Sequence, residues 1–515
     1  MRIKQTAQNV LSNWAALAVS TVVGFFLAPI VVHYLGNVAY GVWVLVTSLT
    51  AYMGLLDLGM RGAVTRFVSK GKAQGNHAES REAVSAALWI RCWISVALLF
   101  SSIGFALAFV HIFRIPITMY QAARLAILAT ALTVAVNLWC GVFGGVLAAL
   151  HRFDLLSVVS LAQTGSRAAG IVYLLRHGHG ILALAFWELA IALVANALYM
   201  LLALRTYPQL RLTFRRPQRV VLRKIWNYSL WASIINIAVQ VVYYSDNLVV
   251  GAFTSAAAVT FYAIGGVLVT YSRQVVSSLT TTFGPLASTF EAEGSYHDLR
   301  RLLIQGTRAA LIVSLPIELA LFIRGKTFIG LWMGAEYAQP SGTILRVLLI
   351  SLIVCTGSSA SGGIVYGMEK HRTVAIWAIF EGIANLALSI FLVRRIGIIG
   401  VAWGTTIPSL FVECVLWPPY IAALVEIPLY EYLWQTWVRT SLAALPFSLG
   451  CYLIQLYWPA TNLVVFFTQI LIVLPLFPLA LALVFRTELT RHFRARASRA
   501  TSLKLSNEYQ STTLQ

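Results

Sequence analysis

The sequence predicts an all-α polytopic membrane protein, and composition and hydropathy are the grounds for this. Of its 515 residues, 59% are hydrophobic and only 11% are charged, whereas a soluble domain carries about 45–50% apolar and about 25% charged residues. The apolar residues are enough for more than a dozen spans of roughly 20 residues each. Composition therefore excludes the secreted, cytosolic, fibrous and disordered classes.

Fourteen transmembrane helices are predicted along the chain. They cover residues 9–35, 38–67, 83–112, 120–150, 154–176, 179–204, 224–251, 256–290, 301–323, 340–367, 373–393, 399–425, 434–457 and 460–485. Several exceed the roughly 20 residues that a bilayer needs, so we expect those helices to tilt or to protrude.

A basic connection after the sixth helix divides the chain. We predict an N-terminal six-helix lobe at 1–204, a cytoplasmic linker at 205–223, a C-terminal six-helix lobe at 224–425, two additional helices at 426–485, and a basic and polar cytoplasmic tail at 486–515. Similar hairpins, Leu35-Gly36 and Val250-Gly251, begin the two lobes. Six is an even number, so repeats of this kind run parallel, and we expect the two lobes to surround a central cavity.

The basic residues predict the orientation. If both termini are cytoplasmic, 27 of the 38 Lys and Arg residues lie on the inside and seven on the outside. Cytoplasmic loops collect Lys and Arg, so this asymmetry favours both termini inside. The same topology places Arg324 and Lys326 in the longest outside loop, at about 324–339.

Polar side chains form stripes on four of the predicted helices. Counting small residues with the polar ones, helix 1 carries Asn9, Asn13, Ala16, Ser20 and Gly24; helix 2 carries Trp43, Thr47, Thr50, Gly54, Asp57, Arg61 and Thr65; helix 7 carries Ser229, Ser233, Asn236, Gln240, Tyr244, Asn247 and Gly251; and helix 8 carries Tyr262, Gly266, Thr270, Arg273, Ser277, Thr281 and Gly284. Spacings of three and four residues put each set on one helix face. Polar groups inside a bilayer normally face protein or a water-filled cavity, which favours a polar cavity. The alternative is that small residues on the stripes only mediate helix packing.

Charged residues within the spans are the strongest candidates for binding. Asp57 and Arg61 are four apart, so they can form an ion pair on one helix, and Arg61 can instead reach to the headgroups. Arg273 lies deep in an apolar segment, and its planar fork of donors matches a phosphate well. A protein carboxylate such as Asp246 is the alternative partner. Arg167 and Glu381 are also intramembrane, and the sequence leaves open whether they act as structural locks or in ion coupling.

No catalytic or metal-binding motif is found. The sequence has no P-loop, no HExxH and no nucleophile elbow, and its five cysteines show no CxxC spacing. The net charge of +20 is explained by the basic cytoplasmic loops, so no nucleic-acid partner is inferred. We expect a protein that is not an enzyme and that has no cofactor.

The sequence resembles a known family at the starts of its two lobes. Two stretches are similar to bacterial O-antigen and exopolysaccharide exporters. The first consists of Asn13 through Gly24, Pro29, Leu35-Gly36, Tyr40-Gly41, Asp57-Leu58-Gly59 and Arg66, and the second consists of Asp246 through Gly251 and Tyr262. These exporters are the Wzx-type lipid-linked oligosaccharide flippases of the multidrug/oligosaccharidyl-lipid/polysaccharide exporter superfamily.

The resemblance implies a flippase of the bacterial inner membrane. Its substrate would be an undecaprenyl-diphosphate-linked glycan, moved from the cytoplasmic to the periplasmic leaflet by alternating access for cell-surface polysaccharide synthesis. The candidate substrate-binding residues are Arg61 and Arg273 for the diphosphate, Asn13, Asn236 and Gln240 for the glycan, and Asp57 and Thr270 beside them. Anionic membrane lipids and polysaccharide polymerase or assembly proteins are further expected partners, and coupling to a Na⁺ or H⁺ gradient stays open.

Two other functions are considered. A cation-coupled exporter of drugs or small solutes predicts a cavity richer in carboxylates than in cations, whereas the four stripes carry one acid, Asp57, against Arg61 and Arg273. A membrane-embedded polysaccharide polymerase or ligase predicts a large outside loop with clustered Arg, His or acidic residues, which the sequence lacks.

Overall fold

The protein is a bundle of long helices. A computed structural model describes residues 2–54, 56, 60–210, 240, 244–280, 283–486 and 488, and every regular element in those ranges is helical. Within them, eleven segments are long and apolar enough to cross a membrane. The predicted all-α polytopic membrane class is confirmed.

The α-helices of the described ranges are numbered in chain order. The first nine are α1 (Arg2–Gly54), α2 (Met60–Ala73), α3 (His77–Ile112), α4 (Tyr120–Ala149), α5 (Phe153–Arg176), α6 (Ile181–Thr206), α7 (244–253), α8 (Ala256–Thr280) and α9 (Phe283–Ala292). The remaining nine are α10 (Tyr296–Trp332), α11 (Ala335–Gly367), α12 (His371–Ile396), α13 (Ile398–Phe411), α14 (Trp417–Leu424), α15 (Leu429–Leu433), α16 (Arg439–Tyr457), α17 (Leu463–Val473) and α18 (Leu476–Val484). Short π-helical segments at Val412–Leu416 and Trp434–Val438 join α13 to α14 and α15 to α16.

Glycine sets the geometry of the first hairpin. The two arms of α1 are separated at Gly36, which has a φ of 74° and a ψ of 169°, and glycine reaches positive φ without a steric penalty. The break predicted between helices 1 and 2 is therefore confirmed. A Cβ on Gly41 would lie 1.7 Å from the carbonyl oxygen of Ala256, so the second arm of α1 packs directly on the start of α8.

Two of the predicted helices each correspond to two described elements. In place of one helix over 38–67, α1 ends at Gly54 and α2 begins at Met60. Glycines at positions 54 and 59 bracket this interval, and glycine is a poor helix former. The helix predicted over 256–290 is helical wherever it is described, as α8 and α9, and residues 281–282 between them lie outside the described residues.

The segment expected as the longest outside loop is also corrected. Arg324 and Lys326 lie inside helix α10, which extends beyond the predicted 301–323 at both ends. Arg324 is 0% exposed. Its Nε donates to Gln455 Oε1 at 3.2 Å, its Nη2 donates to Gln469 Oε1 at 2.6 Å, and the guanidinium lies 4.7 Å from the centre of the Phe466 ring. Amide oxygens and an aromatic face hold this charge within the protein, which hydropathy alone does not reveal.

The other predicted helices agree with the structure to within a few residues. The eleven candidate spans account for twelve of the fourteen predictions, since one of them, Ala18–Thr50, covers both arms of the first hairpin. The prediction at 224–251 falls mostly on residues outside those described.

The chain divides into two compact units. Unit 1 comprises Met1–Tyr271, Trp332–Leu348 and His371–Val412, and unit 2 comprises Ser272–Leu331, Leu349–Lys370 and Glu413–Gln515. A core of unit 1 joins α2, α3, α4 and α6 through buried side chains that include Val64, Leu88, Phe143 and Leu147. A core of unit 2 joins α10, α16, α17 and α18 through buried side chains that include Leu311, Leu315, Phe447, Val473 and Phe477.

Two arginines fix the end of α18 within unit 2. Arg308 of α10 donates from Nη1 to Glu488 Oε2 at 2.7 Å, and Arg439 of α16 bonds the other carboxylate oxygen. Both guanidinium groups also lie over the Phe485 ring, at 4.7 and 4.3 Å from its centre. Partial burial alone would raise the pKa of Glu488, but the hydrogen bonds and charges of the two arginines outweigh it, and the pKa is lowered.

Candidate functional site

A cavity of about 460 Å³, with an apolar lining interrupted by polar and charged side chains, lies within unit 1. Volumes of roughly 300–1,000 Å³ are typical of small-molecule sites. The walls come from α1, α4, α5, α6 and α8. The lining residues include Gly24, Tyr40, Trp43, Thr47, Thr50, Thr130, Thr133, Asn137, Arg167, Glu188 and Tyr271. Gly24, Trp43, Thr47 and Thr50 belong to the stripes predicted on helices 1 and 2, so the structure brings parts of two stripes to one cavity.

The charged members of this lining form an ion pair. Arg167 of α5 contacts Glu188 of α6 through Nε to Oε1 at 2.7 Å and Nη2 to Oε2 at 2.8 Å. This two-point geometry matches the fork of the guanidinium to the carboxylate. The Arg167 side chain is 51% exposed and that of Glu188 is 20% exposed, so the arginine presents part of its surface to the cavity. The sequence singled out Arg167 but missed Glu188, a lone acid within predicted helix 6.

Hydroxyls, an amide and aromatic rings complete the lining. Thr47 and Thr133 donate to main-chain carbonyls of their own helices, so their oxygens remain acceptors. Asn196 of α6 donates to the side-chain oxygen of Asn137 at 2.7 Å, which leaves the Asn137 amide hydrogens available to a ligand. Together with the rings of Trp43 and Tyr271, these groups can bind a solute that has both hydroxyls and apolar faces.

The sequence-predicted site residues lie in several places. Asp57 and Asn236 are outside the described residues, and Asn13 lies on α1 without a described side chain. Gln240 is half-buried, and Thr270 is exposed on α8 with its hydroxyl bonded to Gly266. Thr270 belongs to unit 1, whereas Arg273 is half-buried in the part of α8 that belongs to unit 2.

Arg61 lies on α2 against helix α4. A Cβ on Gly144 would be 3.2 Å from Arg61 Nη2, so the guanidinium rests on α4 where a glycine leaves room for it. The Thr65 hydroxyl bonds both the Arg61 carbonyl at 2.9 Å and the Gly145 carbonyl at 3.1 Å, which fixes the two helices together. Arg61 itself is exposed, and it is not among the residues that line the cavity.

A second polar cluster of unit 1 centres on Asp246. This residue is 7% exposed, and its Oδ2 accepts hydrogen bonds from Tyr262 at 2.6 Å and Thr405 at 2.8 Å. Carboxylate and hydroxyl oxygens are the ligands that hard cations take, so this cluster could hold a cation or a proton. Sequence reasoning considered Asp246 only as a partner for Arg273 and did not single out Thr405, which lies 159 residues away.

Glu381, also identified from the sequence, has a different environment. The hydroxyl of Ser409 on α13 donates to its Oε1, which links α12 to α13 within unit 1. Within the described ranges, no three His, Cys, Asp or Glu side chains come together as metal ligands.

The eleven candidate spans define a polytopic membrane protein, and a cavity with polar groups among such helices is typical of transporters. The chain belongs to the polysaccharide biosynthesis protein family, whose sequence profile matches residues 6–291, more than half of its length.

Curated relatives agree with this assignment. The chain is 21% identical over 432 residues to the uncharacterized membrane protein EpsK of Bacillus subtilis, covering 81% of this chain and 83% of the relative. It is 20% identical over 401 residues to a putative O-antigen transporter of Shigella flexneri, covering 77% and 93%.

Solved structures share the fold. The lipid II flippase MurJ in an inward closed conformation superposes with a TM-score of 0.69 at 16% identity, covering 93% of this chain and 100% of that one. An inward-facing multidrug resistance MATE family transporter of the MOP superfamily superposes with a TM-score of 0.66 at 13% identity, covering 77% and 94%.

Proposed function

We propose that the protein translocates undecaprenyl-diphosphate-linked oligosaccharides from the cytoplasmic to the periplasmic leaflet of the bacterial inner membrane. It does so by alternating access, with both termini in the cytoplasm. The observation that carries this proposal is the cavity of unit 1, in which an ion pair, hydroxyls, an amide and aromatic rings line one space among membrane-spanning helices. The family and the relative described as a putative O-antigen transporter support it.

The lining of the cavity suits the glycan part of such a substrate. Sugar rings have apolar C–H faces that stack on aromatic side chains, and their hydroxyls pair with amides and with hydroxyl acceptors. Trp43 and Tyr271 supply the rings, and Asn137 and Thr47 supply polar groups. Neutral sugars need no net charge from the protein, which agrees with the pairing of Arg167 and Glu188.

The diphosphate requires cations outside this pair. Arg61 and Arg273 remain our candidates, because each carries a guanidinium with the donor geometry that phosphate oxygens accept. Arg61 is exposed on α2, where an anionic headgroup can reach it.

The charge of the cavity favours a glycan over a cationic drug. A drug exporter of the same superfamily would need a carboxylate to bind a cation, and the acid in the described lining, Glu188, is engaged by Arg167 at 2.7 Å. A cationic ligand would have to break that pair before it could bind.

A buried carboxylate offers a means of coupling transport to an ion gradient. Ionisable groups inside a membrane are costly and mark ion pathways. Asp246, with the hydroxyls of Tyr262 and Thr405 on one of its oxygens, is our candidate for binding Na⁺ or H⁺.

The test is translocation of a labelled undecaprenyl-diphosphate oligosaccharide in proteoliposomes. We expect protein-dependent movement by the wild type, reduced by about two- to tenfold in Trp43→Ala because a stacking surface is lost. Trp93→Ala is the matched control, since Trp93 is 59% exposed on α3 and does not line the cavity. Arg273→Ala and Arg273→Lys, with folding checked, then separate a two-point phosphate contact from a simple positive charge.

Two outcomes would overturn the proposal. The first is a wild-type protein that moves no lipid-linked glycan, with or without an ion gradient. The second is an equal effect of Trp43→Ala and Trp93→Ala, which would remove the cavity from the transport route.

A further inference from the structure

A carboxyl group is buried in unit 2, far from the cavity residues in sequence. Glu318 lies on α10, and its residue is 0% exposed. It is 14 residues before the end of this helix at Trp332 and 22 after its start at Tyr296, which corresponds to about 21 Å and about 33 Å along the axis. Glu318 is therefore deep within a span, at a position that the sequence analysis did not single out.

Hydroxyl groups are the polar neighbours of this carboxyl. Thr356 of α11 donates to Glu318 Oε1 at 2.6 Å. Ser314, one turn earlier on α10, is the second hydroxyl beside it. Glu318 Oε2 and Ser314 Oγ are both buried, and neither makes a hydrogen bond to any described residue. The apolar core of unit 2, including Leu311, Leu315 and Phe447, lies along the same helix.

The surrounding helices carry cations, but none of them acts on Glu318: Lys326 of α10 and Arg273 of α8 have contacts of their own, and the groups that act on this carboxyl are the Thr356 and Ser314 hydroxyls. On α10, Arg308 binds Glu488, and Arg324 binds Gln455 and Gln469. On α16, Arg439 binds Glu488, and Cys451 is a buried thiol close to Arg324. On α11, the nearest titratable side chain in sequence is Cys355, while α17 and α18 contain no titratable residue.

An ionised carboxylate without a counter-charge is expensive in such surroundings. The described groups around Glu318 supply hydroxyls and no cation, so a proton is the counter-charge that this site can take. A metal ion is a poor alternative, because one carboxyl and two hydroxyls fall short of the six or more oxygens that hard cations usually collect.

We propose that Glu318 is a proton-exchange site of unit 2. Here it is the neutral acid, with the Thr356 hydroxyl bonded to its carbonyl oxygen Oε1 and the proton on Oε2. When water reaches the site, the O–H bond breaks, the proton passes to a water molecule, and the carboxylate accepts hydrogen bonds from Thr356, Ser314 and water. The role of this exchange in driving transport rests on the proposed flippase function, whereas the exchange itself does not.

Infrared spectroscopy of the purified full-length protein tests the exchange without a transport assay. We expect a protonated-carboxyl C=O band that shifts in heavy water, is lost in Glu318→Gln, is kept in Glu318→Asp, and falls reversibly in intensity as the pH is raised. Thr356→Val should move the band to higher frequency, because the carbonyl oxygen loses its donor. Thr405→Val is the matched control, since it makes the same change beside Asp246 and should leave the Glu318 band in place.

A band that is unaffected by Glu318→Gln would overturn the proposal. So would a band that keeps its full intensity at every pH at which the helices remain folded, since Glu318 would then be a permanent structural hydrogen bond between α10 and α11.

A transport arm separates this proposal from the proposed function. In proteoliposomes, wild-type translocation should respond to an imposed pH gradient, and Glu318→Gln should lose that response. A wild type that moves no substrate refutes the flippase function and leaves the infrared test of proton exchange intact. A Glu318→Gln variant with an unchanged response refutes coupling through Glu318 while the flippase function stands.

Discussion

Tyr262 donates a hydrogen bond of 2.6 Å to Asp246, and both side chains are buried. The bond joins α7 to α8, and Thr405 of α13 reaches the same carboxylate oxygen. These two residues belong to the string through which the sequence resembles polysaccharide exporters. Two residues of that string, both in the predicted C-terminal lobe, are therefore in direct contact in the folded protein.

Removing the phenol hydroxyl at this contact should destabilise unit 1. Tyr262→Phe leaves a buried carboxylate with one donor fewer, and we expect a loss of about 1–3 kcal/mol in the free energy of unfolding. Thermal unfolding in detergent measures it. Tyr430→Phe is the control, because Tyr430 is 77% exposed on the short helix α15. Equal effects of the two substitutions would mean that the hydrogen bond contributes nothing specific.

The effects of reversing the charges of Arg167 and Glu188 on transport and stability should depend on each other. Arg167→Glu and Glu188→Arg each place like charges together, so each should lower both transport and the unfolding temperature. The double reversal restores opposite charges, and we expect a coupling of about 0.5–3 kcal/mol in the double-mutant cycle. Additive effects would show that the two residues act independently.

The contact at Gly41 should not tolerate a side chain. Gly41→Ala brings a methyl group within 1.7 Å of the Ala256 carbonyl oxygen, a backbone atom that cannot rotate away. We expect this overpacking to cost about 1–3 kcal/mol. Gly266→Ala is the matched control on α8, since no atom of the described residues lies within 4 Å of a Cβ there, and alanine favours a helix by about 1 kcal/mol. If Gly41→Ala is as stable as Gly266→Ala, the two helices do not pack as described.

The attachment of Glu488 should weaken in acid. Its pKa is lowered in the folded protein by Arg308 and Arg439, so its stabilising effect is present above the ordinary Glu pKa and is lost as the pH falls through the folded value. Glu488→Gln should therefore be less stable than the wild type at neutral pH and should approach it well below about pH 4. Unfolding temperatures across the acid range measure this, with the exposed Glu293→Gln as control. A difference that is constant with pH would contradict it.

Hydropathy predicted the existence and order of most helices because membrane insertion depends on the same property, the apolar length of a segment. The hairpin at Gly36 was predictable because a glycine interrupts two apolar runs. The end of the α-helix before Leu56, which has 3₁₀ conformation, was not predictable, because leucine is apolar enough to continue a span.

The sequence predicted that a cavity with polar groups exists, but it identified only some of the residues that line it. Helical spacing identified the face that carries Trp43, Thr47 and Thr50, and it singled out Arg167. It could not pair Arg167 with Glu188, because the rotation of one helix against its neighbour is decided by packing. The prediction that Arg324 lies in an outside loop was wrong because its partners could not be identified from the sequence. Gln455 and Gln469 lie more than 130 residues further along the chain.

That separation has a consequence for how the protein is made. A chain inserted from its N-terminus would deliver Arg324 to the membrane before Gln455 and Gln469 have been synthesised. Until those two amides arrive, the guanidinium has neither of the acceptors that hold it in the finished protein. The burial of Arg324 in α10 would then be complete only after α17 has been synthesised, so unit 2 could close around this charge only once a further 145 residues had been added to the chain.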